Sequence, residues 1–268
     1  MTSLAERAIA WRHGYHAAVC GRIEPWRQGT VARADDLPTY YDYNLVRVEH
    51  GDPGPDAAAL AAAAEPLLAD LGHRRIEIED DAAGARLVEG FKAMGWVAER
   101  LAFLHRELPA PPPAGAHGAE LRVVPFEASR PLRVAWHGES VWGDEAGFAL
   151  LEEEVARRRG THAVTGTAGG ELAGFSAFSV HGDAAEVELV FCLPERRNGG
   201  LGGALVAAAL EAAHARGARH AWIEADDDGD SKRLYERLGF RTVWVRHSFT
   251  RLPQYRRRPP AKSTAPRR

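Results

Sequence analysis

The feature that most constrains this chain is an order of elements that occurs twice. Leu71–Arg106 and Ala215–Phe249 both run through a glycine that ends a helix, a strand around Ile78 or Ile223, an acidic turn and a short helix. An aromatic residue, Phe91 or Tyr235, then stands four residues before Gly95-Trp96 or Gly239-Phe240. It follows the isoleucine by 13 residues in one copy and 12 in the other. A β-α-β unit recurring in this way reads as a diverged duplication of a whole domain. Between the copies lies Leu108–Gly118, LPAPPPAGAHG, with four prolines in eleven residues. Proline fixes φ and removes a donor, so this stretch reads as a linker that cannot enter a sheet ladder. The expected division is a first domain over 1–107, the linker over 108–118, a second domain over 119–252 and a tail over 253–268.

The second piece has strand patterns at Glu120–Pro125, Ala163–Thr167, Glu171–Val180 and Ala185–Leu193, with glycine-bearing turns between the last three. Helical patterns occupy Ala128–Trp142 and Glu145–Arg159, and Leu201–Arg216 places Leu201, Leu205, Ala208 and Ala212 on one face. A strand at Ala221–Ala225, a helix at Ser231–Leu238 and a strand at Arg241–Phe249 complete the series. The expected fold class is α/β (α+β), with a mixed, mostly antiparallel sheet flanked by helices and present twice.

Composition closes off other classes. Of 268 residues, 45% are hydrophobic and 26% charged, so a packed core is expected. No apolar run reaches the ~20 residues of a membrane span. The first nineteen residues mix acid and base into their apolar stretch and do not read as a signal peptide. Two cysteines, Cys20 and Cys192, are too few for a disulfide framework, and a cytoplasmic protein is expected. The tail QYRRRPPAKSTAPRR holds six basic residues and no acid, so the net charge of −3 divides into +6 on the tail and −9 on the rest. With no aromatic or fold motif beside it, it reads as a solvated, disordered end, and nucleic acid is not the favoured partner.

The chemistry concentrates in Leu189–Leu205, LVFCLPERRNGGLGGAL. A strand enters a loop with Arg197, Gly199, Gly200, Gly202 and Gly203, then passes directly into a helix. Glycines let backbone N–H groups approach a ligand, and a helix N-terminus adds free donors and a positive dipole end. This is a site for phosphate or pyrophosphate, to which Arg197 could add a charge-assisted contact. No Lys-Ser/Thr pair follows the glycines, which excludes a P-loop. Leu205 stands where a dinucleotide fingerprint needs a small residue. The run Glu224–Asp230 imitates the start of a calcium loop, but position twelve would be Tyr235 and the bidentate acid is missing. Its acids are better placed to cap the helix near Ser231. His13 and His16 share a helical spacing without a third ligand, and no metal is expected.

These segments resemble the GNAT superfamily of N-acetyltransferases. The family's acyl-CoA loop, Arg/Gln-x-x-Gly-x-Gly/Ala shortly after a proline, matches Pro194 to Gly202. Its second signature, Asn-x-x-Ala-x-x-Leu-Tyr-x-x-x-Gly-Phe, matches Asp228 to Phe240 at Leu234, Tyr235, Gly239 and Phe240, while Asp228 and Ser231 replace the usual asparagine and alanine. The resemblance covers Glu120 to about Phe249, and the first piece is similar to a degenerate copy, as in tandem GNAT proteins. It implies acetyl-CoA as co-substrate, held by the Phe191, Cys192 and Leu193 main chain and by Arg197, Asn198, Gly199, Gly200, Leu201, Gly202, Gly203 and Asp228. It further implies Tyr235 as the acid that protonates the departing thiolate. Glu188, in ELVFCL, is implied as the base because it resembles the glutamate of the histone-acetyltransferase branch; Glu186 and water stay open as alternatives. The implied reaction is direct attack by a primary amine, from a small molecule or a peptide. A non-catalytic acyl-CoA sensor and a transferase of another acyl group are the alternatives, and the oligomeric state is open.

The first copy is expected to have lost this site. Arg197 precedes Tyr235 by 38 residues, and the same step back from Phe91 reaches Pro53, in HGDPGPDA. That segment has no arginine, and Asp52 and Asp56 would repel a pyrophosphate. Phe91 also lacks the hydroxyl of Tyr235. The acceptor is expected near Trp136–Trp142, and Tyr40-Tyr41-Asp42-Tyr43 could line its cleft with aromatic faces and a carboxylate for a cation.

Overall fold

A computed structural model describes residues 2–109, 118–139 and 145–253. Most of the expected linker, the tail after Pro253 and Trp142 lie outside the described residues.

The chain runs α1 (Leu4–Val19), β1 (Arg22–Trp26), β2 (Gly29–Arg33), β3 (Asn44–Val48), α2 (Ala57–Ala64), β4 (Arg74–Ile78), α3 (Asp81–Ala93) and β5 (Val97–Glu107). It continues through β6 (Glu120–Pro125), α4 (Arg130–Glu139), α5 (Glu145–Arg159), β7 (His162–Ala168), β8 (Glu171–His181) and β9 (Ala184–Cys192). The last elements are α6 (Leu201–His214), β10 (His220–Asp226), α7 (Asp230–Arg237) and β11 (Arg241–Arg251). The elements expected for the second piece are therefore all present, most within two residues of their expected ends.

The two copies do not form two sheets. Among the described residues, eleven strands join in one sheet, ordered β1-β2-β3-β4-β11-β5-β10-β9-β8-β7-β6. The copies exchange their final strands: β5 lies between β10 and β11, and β11 lies between β4 and β5, each pairing antiparallel. Corresponding strands are thus related by a pseudo-twofold normal to the sheet at the β11–β5 pair. The parallel pairs, β3 with β4 and β9 with β10, occupy matching places on either side.

Alternation along the strands divides the buried side chains between two faces. On one face, Ile76, Ile78, Leu87, Phe91 and Phe249 form a core under α2 and α3, while Leu104, Val187, Leu205, Ile223 and Phe240 form another under α6 and α7. The opposite face is covered by α1, α4 and α5, where Phe103, Trp222 and Trp244 meet Ala8. That face also buries charge across the exchanged strands. Arg246 of β11 forms ion pairs with Glu77 of β4 at 2.8 Å and with Glu224 of β10 at 2.9 Å, and Arg12 of α1 reaches Glu77 at 3.0 Å. Burial alone would raise the Glu77 carboxyl, yet Arg246, Arg12 and Arg75 hold it well below its ordinary value.

A depressed carboxylate supports the fold above the unfolded value near pH 4.5 and loses that contribution as acid carries the pH down through the folded value. Removing the central cation should be more damaging than acid. Arg246→Leu leaves Glu77 and Glu224 without it and should lower the unfolding free energy by about 3–5 kcal/mol. Urea denaturation at pH 7 measures this, and a loss below about 1 kcal/mol would mean that strand pairing and apolar contacts suffice at the seam.

Candidate functional site

The site begins where two strands stop pairing. β9 and β10 are in parallel register only from Ala184–His220 to Val187–Ile223, after which β9 runs on to Cys192 and β10 to Asp226 without pairing to each other. A bulge follows at once in β9: its register against β8 shifts between Phe191–Phe175 and Glu188–Ala177, and Leu189 adopts φ +54°. The bulge resets the alternation. Glu186 and Glu188 face α5, whereas Val190 and Cys192 face α6 and line a cleft of about 1020 Å³ between α6 and α7.

Close packing aims the N-terminus of α6 into this cleft. Gly166 and Gly174 let Leu201 and Leu205 settle on the sheet; a Cβ on Gly174 would lie 2.7 Å from the Phe191 carbonyl. Ser176 Oγ donates to the Leu205 carbonyl at 3.1 Å and fixes the helix further. The loop before it turns through left-handed residues, Asn198 at φ +62° and Gly200 at φ +86°, and Gly200 caps the helix without a side-chain bond. Ala204 is the first residue whose amide returns to the helix cap, bonding Gly200 at 3.1 Å. The amides of Leu201, Gly202 and Gly203 precede it and are the helix's free donors.

Of the residues expected to bind the cofactor, Cys192, Arg197, Asn198, Gly200, Gly202 and Gly203 line the cleft. Gly199 is exposed on the loop and Leu201 is buried in the core below, so neither is among the residues that line the cleft. Two main-chain expectations change. The Leu193 amide donates to the Ala173 carbonyl at 3.0 Å, and in the same register Phe191 exchanges its main-chain bonds with Phe175. The main-chain groups of Cys192 face the parted side instead, and its carbonyl accepts from Arg197 Nε at 3.0 Å. Arg197 also holds both oxygens of Glu139, at 2.9 and 2.7 Å, in a pair about 40% exposed. Such exposed pairs are weak, so a phosphate at the loop can take the arginine over.

Asp228 does not reach the cleft; it is exposed in the turn before α7, and Asp230 and Ser231 line the wall instead. Nor do these acids cap α7. Its N-cap is Gly229 without a side-chain bond, and Asp227 is drawn to Lys232 at 2.6 Å and to Arg100.

Tyr235 projects from α7 into the cleft, 5% exposed, beside the Cys192 thiol. Burial, then the neighbouring thiol, pushes its phenol upward, so it carries its proton at neutral pH. Across the sheet, Glu188 receives two bonds from Arg159 Nη1, at 2.8 and 2.7 Å, while Arg159 Nη2 bonds Glu186 at 2.9 Å. Trp11 Nε1 also donates to Glu186 at 3.0 Å. One buried cation thus serves two carboxylates. Burial raises Glu186 to about 7, and the charge of Glu188 adds to the effect while Arg159 opposes it. Arg159 carries no motif, and nothing in the sequence pointed to it.

Among the described residues, the aromatic segment of the first half does not line this cleft. Tyr40 and Tyr43 are buried against Phe148 and Tyr15, and Asp42 is paired with Arg75 at 2.8 Å. The histidines of α1 are engaged as well, His13 with Glu79 and His16 with Arg47. Where the first copy would hold its loop, Asp56 caps α2 and Asp52 pairs with Arg86 at 2.7 Å. A Cβ on Gly90 would lie 2.8 Å from that of Ala57, so α3 closes on α2, and among the described residues the cavity beside them, lined by Ala61, Glu65, Met94 and Trp96, is only about 370 Å³.

Residues 127–240 match the profile of the acetyltransferase (GNAT) family. No curated protein matches the sequence. Among the solved structures that share the fold, three illustrate the likeness. A conserved protein of unknown function from Staphylococcus epidermidis is 12% identical over 87% of this chain and 94% of its own, with a TM-score of 0.66. A GCN5-related N-acetyltransferase from Kribbella flavida is 19% identical over 93% and 96%, at 0.63. A tandem GNAT protein from the clavulanic acid biosynthesis pathway is 20% identical over 72% and 69%, at 0.53.

The Glu186 carboxyl leads to a prediction that needs no ligand. It stays protonated in the folded protein where the unfolded chain has already ionised, so stability falls as the pH rises from about 4.5 to about 7. Glu186→Gln should remove that part of the slope. Denaturant midpoints for both proteins at pH 5, 6, 7 and 8 test this, and parallel curves would contradict it.

Proposed function

The second half of the chain carries a GNAT acetyltransferase domain, and on that premise we propose that the protein transfers an acetyl group from acetyl-CoA to a primary amine by direct attack. The observation that carries this reading is the cleft itself. Free helix N-terminal donors, a loop arginine and a protonated tyrosine converge beside a strand that has parted from its neighbour. The residues fit a CoA thioester. Leu201, Gly202 and Gly203 would hold the pyrophosphate through their amides, with Arg197 released from Glu139 to pair with it. The Cys192 main chain, facing the parted side, suits the pantetheine arm.

Acetyl transfer to an amine needs a neutral nucleophile, stabilisation of the developing oxyanion and a proton for the departing thiolate. In this reading the amine approaches from the α5 side of the sheet, where Glu188 stands at the point of parting. Arg159 orients Glu188 through its two bonds, and the carboxylate receives the proton of the incoming ammonium. Glu186 lies deeper, behind Trp11 and Arg159, and serves to set the charge of the pair. Tyr235, on the other face, supplies the proton to the CoA sulfur. No step is assigned to the first half, whose corresponding loop is closed by Asp52 and Asp56.

Removing the Tyr235 hydroxyl separates chemistry from binding. In Tyr235→Phe the ring keeps its packing, so acetyl-CoA affinity should stay within about twofold while kcat falls by about 10²-fold, the lower end for a positioned acid because a thiolate leaves readily. Steady-state kinetics with any accepted amine, paired with calorimetric binding of acetyl-CoA, read the two effects. Weakened affinity at unchanged kcat would make Tyr235 a cofactor contact, and no release of CoA thiol from a broad amine panel would favour the sensor.

A further inference from the structure

The strand exchange places one residue of the first half in the cleft of the second. Arg106, near the end of β5, sits opposite Ala221 of β10 on the α6–α7 side of the sheet and lines the cleft beside Leu238 and Gly239. Its Nη1 donates to the Leu238 carbonyl at the C-terminal end of α7, where the helix dipole favours a cation. A Cβ on Gly239 would lie 3.5 Å from the guanidinium carbon, so the arginine lies flat against this turn.

What sets Arg106 apart is the lack of an acid. The eight buried arginines among the described residues, Arg133, Arg159 and Arg246 with them, each hold a carboxylate within 3.0 Å. Among the described residues none pairs with Arg106, and partial burial alone lowers its pKa. Asp230, an acid on the same wall, is taken by Arg233 at 2.9 Å. A half-buried cation that lines a cleft and lacks a counter-charge is matched by an anionic ligand. Leu238 lies one helical turn beyond Leu234, and a Cβ on Gly203 of α6 would meet both side chains, so Arg106 stands just behind the N-terminus of α6.

Resting on the CoA reading above, we infer that Arg106 is a phosphate-binding residue of the cofactor cleft, supplied by the first half to a site whose other residues come from the second. Its guanidinium retains donors beyond the bond to Leu238, and a phosphate of the CoA nucleotide accepts from them. The first half then contributes to cofactor binding without a cofactor site of its own.

The test uses the full chain, with CoA and 3′-dephospho-CoA as ligands and Arg106→Gln and Arg106→Lys as variants. Calorimetry at several salt concentrations should show CoA affinity about tenfold weaker in the glutamine variant, with a shallower dependence on salt. Lysine should restore most of both. A loss confined to CoA assigns the 3′-phosphate, and an equal loss for dephospho-CoA assigns the pyrophosphate; either supports the inference. Unchanged affinity in the glutamine variant overturns it. So does a loss that keeps the full salt dependence, or a failure of both variants to fold, since those outcomes leave Arg106 only the Leu238 carbonyl to hold. A wild-type protein that binds neither ligand would instead overturn the CoA reading, and this inference with it.

Discussion

The pairing of β11 with β5 is the contact on which the rest of the molecule depends. Each is the last strand of its own half, and each completes the other half's sheet. Without β5, β10 has no neighbour on the side away from β9, and β11 loses the strand that connects it to β10. The backbone ladder is reinforced from one face by buried charge: Arg246 joins strands of both halves through Glu77 and Glu224, and α1 adds Arg12. A buried ion pair is poor evidence for net stability, because desolvation offsets much of the attraction. Its effect here is on register, since slipping β11 by one residue would move Arg246 to the apolar face and bring a neighbour to Glu77 in its place.

With the seam fixed, the site follows from what happens at its flanks. The parallel pair in each half lies one strand away from the seam, and only the second pair parts. In the first half the Glu79 amide continues onto the Val48 carbonyl, and α2 and α3 meet at Ala57 and Gly90. In the second half the bulge at Leu189 turns Val190 and Cys192 toward α6, while Glu186 and Glu188 stay on the face of α5. A single residue in the left-handed region thus turns Cys192 into the cleft while Glu188 stays on the other face of the same strand. The same duplicated plan yields a cleft in one half and a closed contact in the other.

Much of this was legible in the sequence. The glycines of Leu189–Leu205 and the spacing to Tyr235 marked the loop, the helix and the tyrosine, and HGDPGPDA marked the closed counterpart, because local chain chemistry sets those features. The misreadings share a different cause. Asp228 was placed by a motif position, yet the turn carries it outward and leaves Asp230 and Ser231 on the wall. Phe191 and Leu193 were assigned main-chain contacts without knowledge of which register β8 would take. Tyr40–Tyr43 could not be told from a ligand cleft until α5 was seen to bring Phe148 against it. Arg159, Arg106 and the strand exchange depend on contacts between residues far apart in the chain, and no local pattern encodes them.

The central claim is that this duplicated chain keeps one cofactor cleft, formed on the second half and absent from the first. Calorimetric titration of acetyl-CoA into the full-length protein tests it most directly. The account predicts one site per chain, abolished by Gly202→Asp, which sets a carboxylate among the free amides of α6 beside Cys192 and Leu234. Two equivalent sites, or one site that survives that substitution, would contradict it.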